Sequence, residues 1–122
     1  GERLGALALS EPNAGSDAKS VETVAVADGD SYVLNGRKKW TTFGQIAHIY
    51  LFLAQCEGKP TTFLVERVTH GFTVEPLPGI MGTRASMLAE RHAQDERGVG
   101  GSVLVDHDAF SLAGIVPRRP AR

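Results

Sequence analysis

Asn13-Ala14-Gly15-Ser16-Asp17 combines small size, polar side chains and a glycine, so it can expose successive backbone N–H groups. Such amides form a concavity that holds a diphosphate without a lysine. Gly15 allows close approach and Ser16 adds a hydroxyl donor. The same composition is common in ordinary turns, and the loop taken alone does not decide between the two. Trp40 and Thr42 are the second candidate pair. Side chains two apart on a strand share a face, so these two can address one ligand while Thr41 points away. Leu7 and Leu9 share a face by the same rule. His48, His70, His92 and His107 lack the i, i+4 helical spacing of a metal site, and Cys56, the single cysteine, excludes cysteine-pair ligation. No metal is expected. Cys56, at the end of an apolar run, reads as a buried structural thiol.

The elements that must position these residues read as strands. From Val21 onward, short β-branched and aromatic runs alternate with Gly, Asp, Asn and Pro, the punctuation of an all-β domain. Asp28-Gly29 predicts a hairpin between residues 21–27 and 32–34, and Asn35-Gly36 predicts a second, through a type I′ turn, making a three-strand meander. Further strands are expected at 4–9, 47–55, 61–65 and 72–75, with turns at Glu57-Gly58-Lys59-Pro60 and His70-Gly71. About seven short strands point to a small antiparallel β-barrel or a sandwich, with a partly irregular carboxy-terminal end. Residues 90–101, with Arg91, His92, Gln94, Asp95, Glu96 and Arg97, have little to bury and predict a loop or poor strand. Val103-Leu104-Val105 and Phe110-Ser111-Leu112 follow, and the basic, proline-flanked end is expected to fray.

At 122 residues the chain is one domain's worth. A net charge of −1 implies no polyanion partner, so no nucleic acid is expected. The longest apolar stretch, 46–54, reads as a core strand and is about half of the ~20 residues needed to cross a bilayer. No secretory segment is visible, a cytoplasmic location is compatible with the single cysteine, and a start at Gly1 suggests a piece of a longer chain.

Two segments in order, Ser10-Glu11-Pro12-Asn13-Ala14-Gly15-Ser16-Asp17 and Asn35-Gly36-Arg37-Lys38-Lys39-Trp40-Thr41-Thr42-Phe43-Gly44, resemble the signatures of the acyl-CoA dehydrogenase family. Thr62-Phe63-Leu64-Val65, Gly71-Phe72 and Met81-Gly82-Thr83-Arg84-Ala85-Ser86 fall where that family has later elements. The likeness spans about residues 5–97. It implies a middle β-domain over 1–105, with 106–122 a poorly matched tail, set between helical domains of a parent enzyme.

What the resemblance implies is an FAD- and acyl-thioester-binding domain of an oxidoreductase that dehydrogenates the α,β-bond of an acyl thioester, on coenzyme A or an acyl carrier protein. Its cofactor contacts would be Leu7, Leu9, Ser10, Gly15, Ser16, Trp40 and Thr42, with Ser16 and Arg84 toward substrate. Ser10 would face the pyrimidine end of the flavin, Trp40 would pack on the isoalloxazine, and Thr42 would bond near N5. The family's catalytic base lies in a carboxy-terminal helical domain, so Glu11 is not given that role and can instead form an ion pair or cap a turn. A fragment inactive alone, within a homo-oligomeric parent, is the leading expectation. A truncated non-catalytic remnant, serving as an interaction or folding module, is the alternative, and a stand-alone thioester- or nucleotide-binding barrel is a third. Thr41 and Phe43 stand where the family has an apolar residue and Asn. Arg91, Ala93 and Glu96 stand where it has apolar strand residues.

Overall fold

The computed structural model describes residues 1–29, 31–82, 84–93 and 105–106. Strand β1 is Gly5–Ala8, β2 Val24–Asp28, β3 Ser31–Thr41, β4 Ile49–Cys56, β5 Lys59–Glu66, β6 Phe72–Pro76, β7 Ala89–Ala93 and β8 Val105–Asp106. Short 3-10 turns at Ala18–Ser20 and Arg84–Ser86 complete the described elements. The strands follow one path, β6-β7-β3-β2-β4-β5-β8, with β1 added on β4. This is the all-β architecture expected, with two departures from pure antiparallel pairing: β1 and β2 both run parallel to β4, end to end along the edge that β5 leaves free.

Alternation builds the core. In β5, Thr61, Phe63 and Val65 are buried while their neighbours are less so, the period of two that a one-sided strand requires. β4 buries Tyr50, Phe52, Leu53, Ala54 and Cys56. Phe72 of β6 packs on both Tyr50 and Phe52, with ring centroids 5.1 and 5.8 Å apart, and Tyr32 meets Phe63 edge-on at 5.3 Å. These contacts lay the β6–β7 layer over β4, and each such aromatic contributes roughly 1.5–3 kcal/mol by leaving water.

Asp28-Gly29 does turn β2 into β3, with Gly29 at φ 59°. The Asn35-Gly36 hairpin does not exist. β3 runs through both residues for 11 positions, pairing with β2 as far as Asn35 and with β7 from Gly36 onward. Gly36 has no positive φ; it is glycine because a Cβ there would lie 2.2 Å from the Thr23 hydroxyl and 2.7 Å from Thr23 Cα. Two expected strands are therefore one, and the meander has one member fewer. The Glu57-Gly58 turn is the tight one, with both residues at positive φ, and Lys59 and Pro60 already belong to β5. β4 begins at Ile49, leaving Ile46 exposed in the preceding turn.

The second correction is β7. The first part of the predicted loop, Glu90 to Ala93, belongs to a regular strand paired with β3 on one side and β6 on the other. Ala89 and Ala93 supply the core contacts, and Glu90 is neutralised by an ion pair with Arg37, so the strand needs no large apolar residue. The remaining expectations for residues 94–104 and 107–122 lie outside the described residues.

Candidate functional site

Residues 9–17 carry no sheet pairing of their own. Their main polar anchor is Glu11, whose side chain is 2% exposed. Its carboxylate accepts from Lys38 Nζ at 2.6 Å, from Thr23 N at 3.0 Å, from Glu22 N at 2.5 Å and from the Thr23 hydroxyl. Lys38, fully buried on β3, also donates to Leu9 O at 3.2 Å and stands 5.3 Å over the Phe52 ring. Burial pushes the Glu11 carboxyl up, but the donors of Lys38, Thr23 and Glu22 and the lysine charge outweigh it and leave it below the usual range. Burial holds Lys38 below the usual lysine range despite the carboxylate beside it. Glu11 thus forms the ion pair that its sequence allowed, in a position closed to base chemistry.

The loop's outer surface is free. Ala14 anchors it against Val21 and Leu53, while Gly15 and Ser16 face solvent, and a Cβ on Gly15 would meet nothing within 4 Å. Asp17 caps the following 3-10 turn, accepting from Lys19 N at 3.3 Å and from the Ser20 hydroxyl. Lys39 N donates to Ser10 O at 2.8 Å, which sets Ser10 beside the end of β3.

That strand end is irregular. The register with β7 shifts between Lys38 and Thr41, and Trp40 sits at φ 63°. An aromatic residue in the left-handed region costs on the order of 1–2 kcal/mol. The result is an exposed indole, 52% accessible, with Lys39 Nζ 5.0 Å over its ring. Thr42 is also exposed and Thr41 buried, but β3 stops at Thr41, so simple strand parity does not set Thr42. Thr41 Oγ1 is buried without a hydrogen-bond partner. On β1, Leu7 is 60% exposed, and Leu9 beyond it is 36% exposed, both outward while Ala6 and Ala8 face the core.

The turn after Thr42 is braced from two sides. Phe43 N donates to Ser86 O at 2.7 Å and Gln45 Nε2 to Leu88 O at 2.9 Å, while the Tyr50 hydroxyl shares its single proton between Gly44 O and Ala47 O. The Arg84–Ser86 turn is therefore a neighbour of Thr42-Phe43. Two cavities flank the region: one of about 250 Å³ lined by Gln45, Leu77, Ile80, Ser86 and Leu88, and one of about 560 Å³ bordered by Glu11, Thr23, Gly36, Arg37 and His92. Neither encloses Trp40, whose face is an open wall.

Sequence reasoning missed Lys38. Counting by twos along β3 from Tyr32 and Leu34 places it on the core side, a signal that was available.

The sequence profile of the acyl-CoA dehydrogenase middle domain matches residues 6–96. The chain belongs to that family. This middle domain is 37% identical over 100 residues to the short-chain-specific acyl-CoA dehydrogenase of Clostridium acetobutylicum, covering 78% of the chain and 26% of the relative. It is 39% identical over 111 residues to cyclohexane-1-carbonyl-CoA dehydrogenase of Syntrophus aciditrophicus, covering 86% and 29%. It superposes with a TM-score of 0.74 on a glutaryl-CoA dehydrogenase from Mycobacterium smegmatis in complex with FADH2, at 33% identity, covering 77% of this chain and 24% of that one. The middle domain thus spans about a quarter of the length of these relatives. No described helix is long and apolar enough to cross a membrane.

Proposed function

We propose that this chain forms one wall of an FAD and acyl-thioester site in an oxidoreductase that dehydrogenates the α,β-bond of the acyl group. The carrying observation is the hydrogen bond from Lys39 N to Ser10 O, backed by the Glu11–Lys38 pair, which sets the loop donors beside the exposed Trp40. The residues present fit a flavin. The exposed apolar side chains of Leu7, Leu9 and Trp40 offer contacts for an aromatic ring system, and the exposed Gly15 and Ser16 offer unhindered donors for a diphosphate. The structure of the Mycobacterium smegmatis relative, in complex with FADH2, supports the same reading.

FAD would supply the hydride acceptor. In this role, Trp40 packs against the isoalloxazine and Thr42 donates near N5. Ser10 faces the pyrimidine end, where a donor offsets the negative charge that grows on reduction. Ser16 and Arg84 address the thioester. The base comes from elsewhere: Glu11, buried and paired with Lys38, does not reach a substrate. Positioned proton transfer contributes about 10²–10⁴-fold to such a reaction, a contribution that Glu11 does not supply. Residues 1–105 act as the β-unit of a longer, cytoplasmic, homo-oligomeric parent whose helical domains complete the site.

Titrating FAD into the chain while following fluorescence of Trp40, the single tryptophan, tests this. Saturable quenching, abolished in Trp40→Leu by loss of the reporter and weakened in Ser16→Ala, is the expected result. Its absence from a folded chain, together with no flavin in the parent protein, would overturn it.

A further inference from the structure

We infer that Lys38 and Glu11 are positioning residues, a buried latch that holds the Ser10 loop against the Trp40 end of β3. Their side chains are 0% and 2% exposed and 2.6 Å apart. Glu11 receives four hydrogen bonds, three on Oε1 and one on Oε2, and these tie together the loop, the residues leading into β2, and β3. The lysine spends a second proton on Leu9 O, the residue before Ser10. Besides the pair, the loop is held by the Lys39 N to Ser10 O bond, which the pair supports, by the Ala14 anchor, and by the exposed contacts from Asn13 to Glu22.

Neither latch residue is exposed to the surface on which Trp40 lies, so neither is a catalytic residue. Their effect is geometric. Lys38 is two residues before Trp40 and Glu11 one residue after Ser10, so the 2.6 Å contact sets the separation of the two elements that carry the flavin-facing groups. For its effect on FAD the latch rests on the proposed function; for its effect on the loop it does not.

The test removes the pair without stranding a charge, comparing Lys38→Met, Glu11→Gln and the double variant in the full chain. Each single variant leaves a polar or charged group uncompensated in the interior and melts well below the wild type. The double variant recovers much of that loss. Amide hydrogen exchange then reads the latch with no ligand present: Lys39 N–H protection falls about tenfold or more in the double variant, while the β4–β5 ladder at Phe52 and Phe63 keeps its own. FAD, followed through Trp40 fluorescence, binds about tenfold more weakly to the double variant than to the wild type. Lys39 protection equal to wild type in the folded double variant overturns the latch. So does FAD affinity that recovers along with stability, the result of a purely structural pair. A wild-type chain that binds no FAD bears on the flavin reading and not on the latch, which the exchange result still judges. Glu11→Asp keeps the charge and withdraws the carboxylate by one methylene. Lys39 protection there falls roughly threefold, and an unchanged value overturns the latch even if the double variant does not fold.

Discussion

Replacing Gly36 by alanine tests the backbone crossing on which the site is built. The added Cβ would fall 2.2 Å from Thr23 Oγ1, 2.6 Å from its Cβ and 2.7 Å from its Cα, where ordinary contacts begin at 3.4 Å. Because main chain is among the clashing atoms, rotating the threonine does not relieve the overlap; the residues leading into β2 must retreat. Overpacking of this kind costs about 1–3 kcal/mol. The retreat also pulls the Thr23 hydroxyl and N–H from Glu11, and a hydrogen bond to a charged group is worth about 1.5–3 kcal/mol. Together they predict a loss of about 3–5 kcal/mol, or roughly 12–20 °C in melting temperature for a domain of this size. Urea denaturation followed by circular dichroism measures it, with Gly15→Ala, which meets nothing, as a control within about 0.5 kcal/mol. Gly36→Asn separates the two explanations of the glycine. Asparagine tolerates the left-handed region, so a turn there would accept it, whereas a clash with Thr23 rejects it as strongly as alanine. A tolerated Gly36→Asn, or a Gly36→Ala loss below about 1 kcal/mol, would refute the reasoning.

Thr41→Val removes a buried hydroxyl that has no partner while keeping the β-branched shape, and should raise stability by about 1 kcal/mol in the same denaturation assay. Glu57→Asn, at φ 51° in the turn before Gly58, should add about 0.5–1 kcal/mol; an unchanged melting temperature would count against the strain argument. Acid should unfold the chain through its buried carboxylates. Donors hold Glu11 below the usual value of 4.5 against the effect of burial, and the Arg37 hydrogen bond holds Glu90 below it, so both folded values lie under the unfolded ones. Their stabilisation is therefore complete above about pH 4.5 and lost as pH falls through the folded values. A urea midpoint that is level from about pH 7 to 5 and drops below 4.5 is expected; one that holds unchanged to pH 3 would contradict it.

The strands legible in the sequence were those whose own residues carry the pattern. β4 and β5 alternate or run apolar between turn residues, and Asp28-Gly29 makes a turn from local conformational freedom alone. Asn35-Gly36 has the same local signature, but there the glycine answers to Thr23, a residue distant along the chain. β7 was illegible because its stability comes from partners on both edges and from two alanines, not from apolar bulk. The parallel placement of β1 on β4 likewise left no trace in local pattern. In the candidate site, the motif resemblance names Leu7, Leu9, Gly15, Ser16, Trp40 and Thr42, all exposed, while strand parity accounts for the outward side of Leu7 and Leu9 only. The positive φ of Trp40, which turns the indole outward, depends on the register shift against β7 and was not.

The parallel seat of β1 also sets an order of assembly. β4 and β5 are joined by a two-residue turn and share eight facing pairs, and β2 and β3 are nearly as local, so these hairpins form with little loop-closure entropy. β1 must instead bring Gly5 opposite Ile49, a contact between chain segments far apart, and it finds a ready edge only after β4 is in place. Mutations at Ala6 and Ala8 should therefore speed unfolding and leave the folding rate almost untouched, while those at Phe52 and Phe63 slow folding. The Ser10 loop follows β1 directly, so it should assemble after the β2–β3 and β4–β5 hairpins and be lost before them.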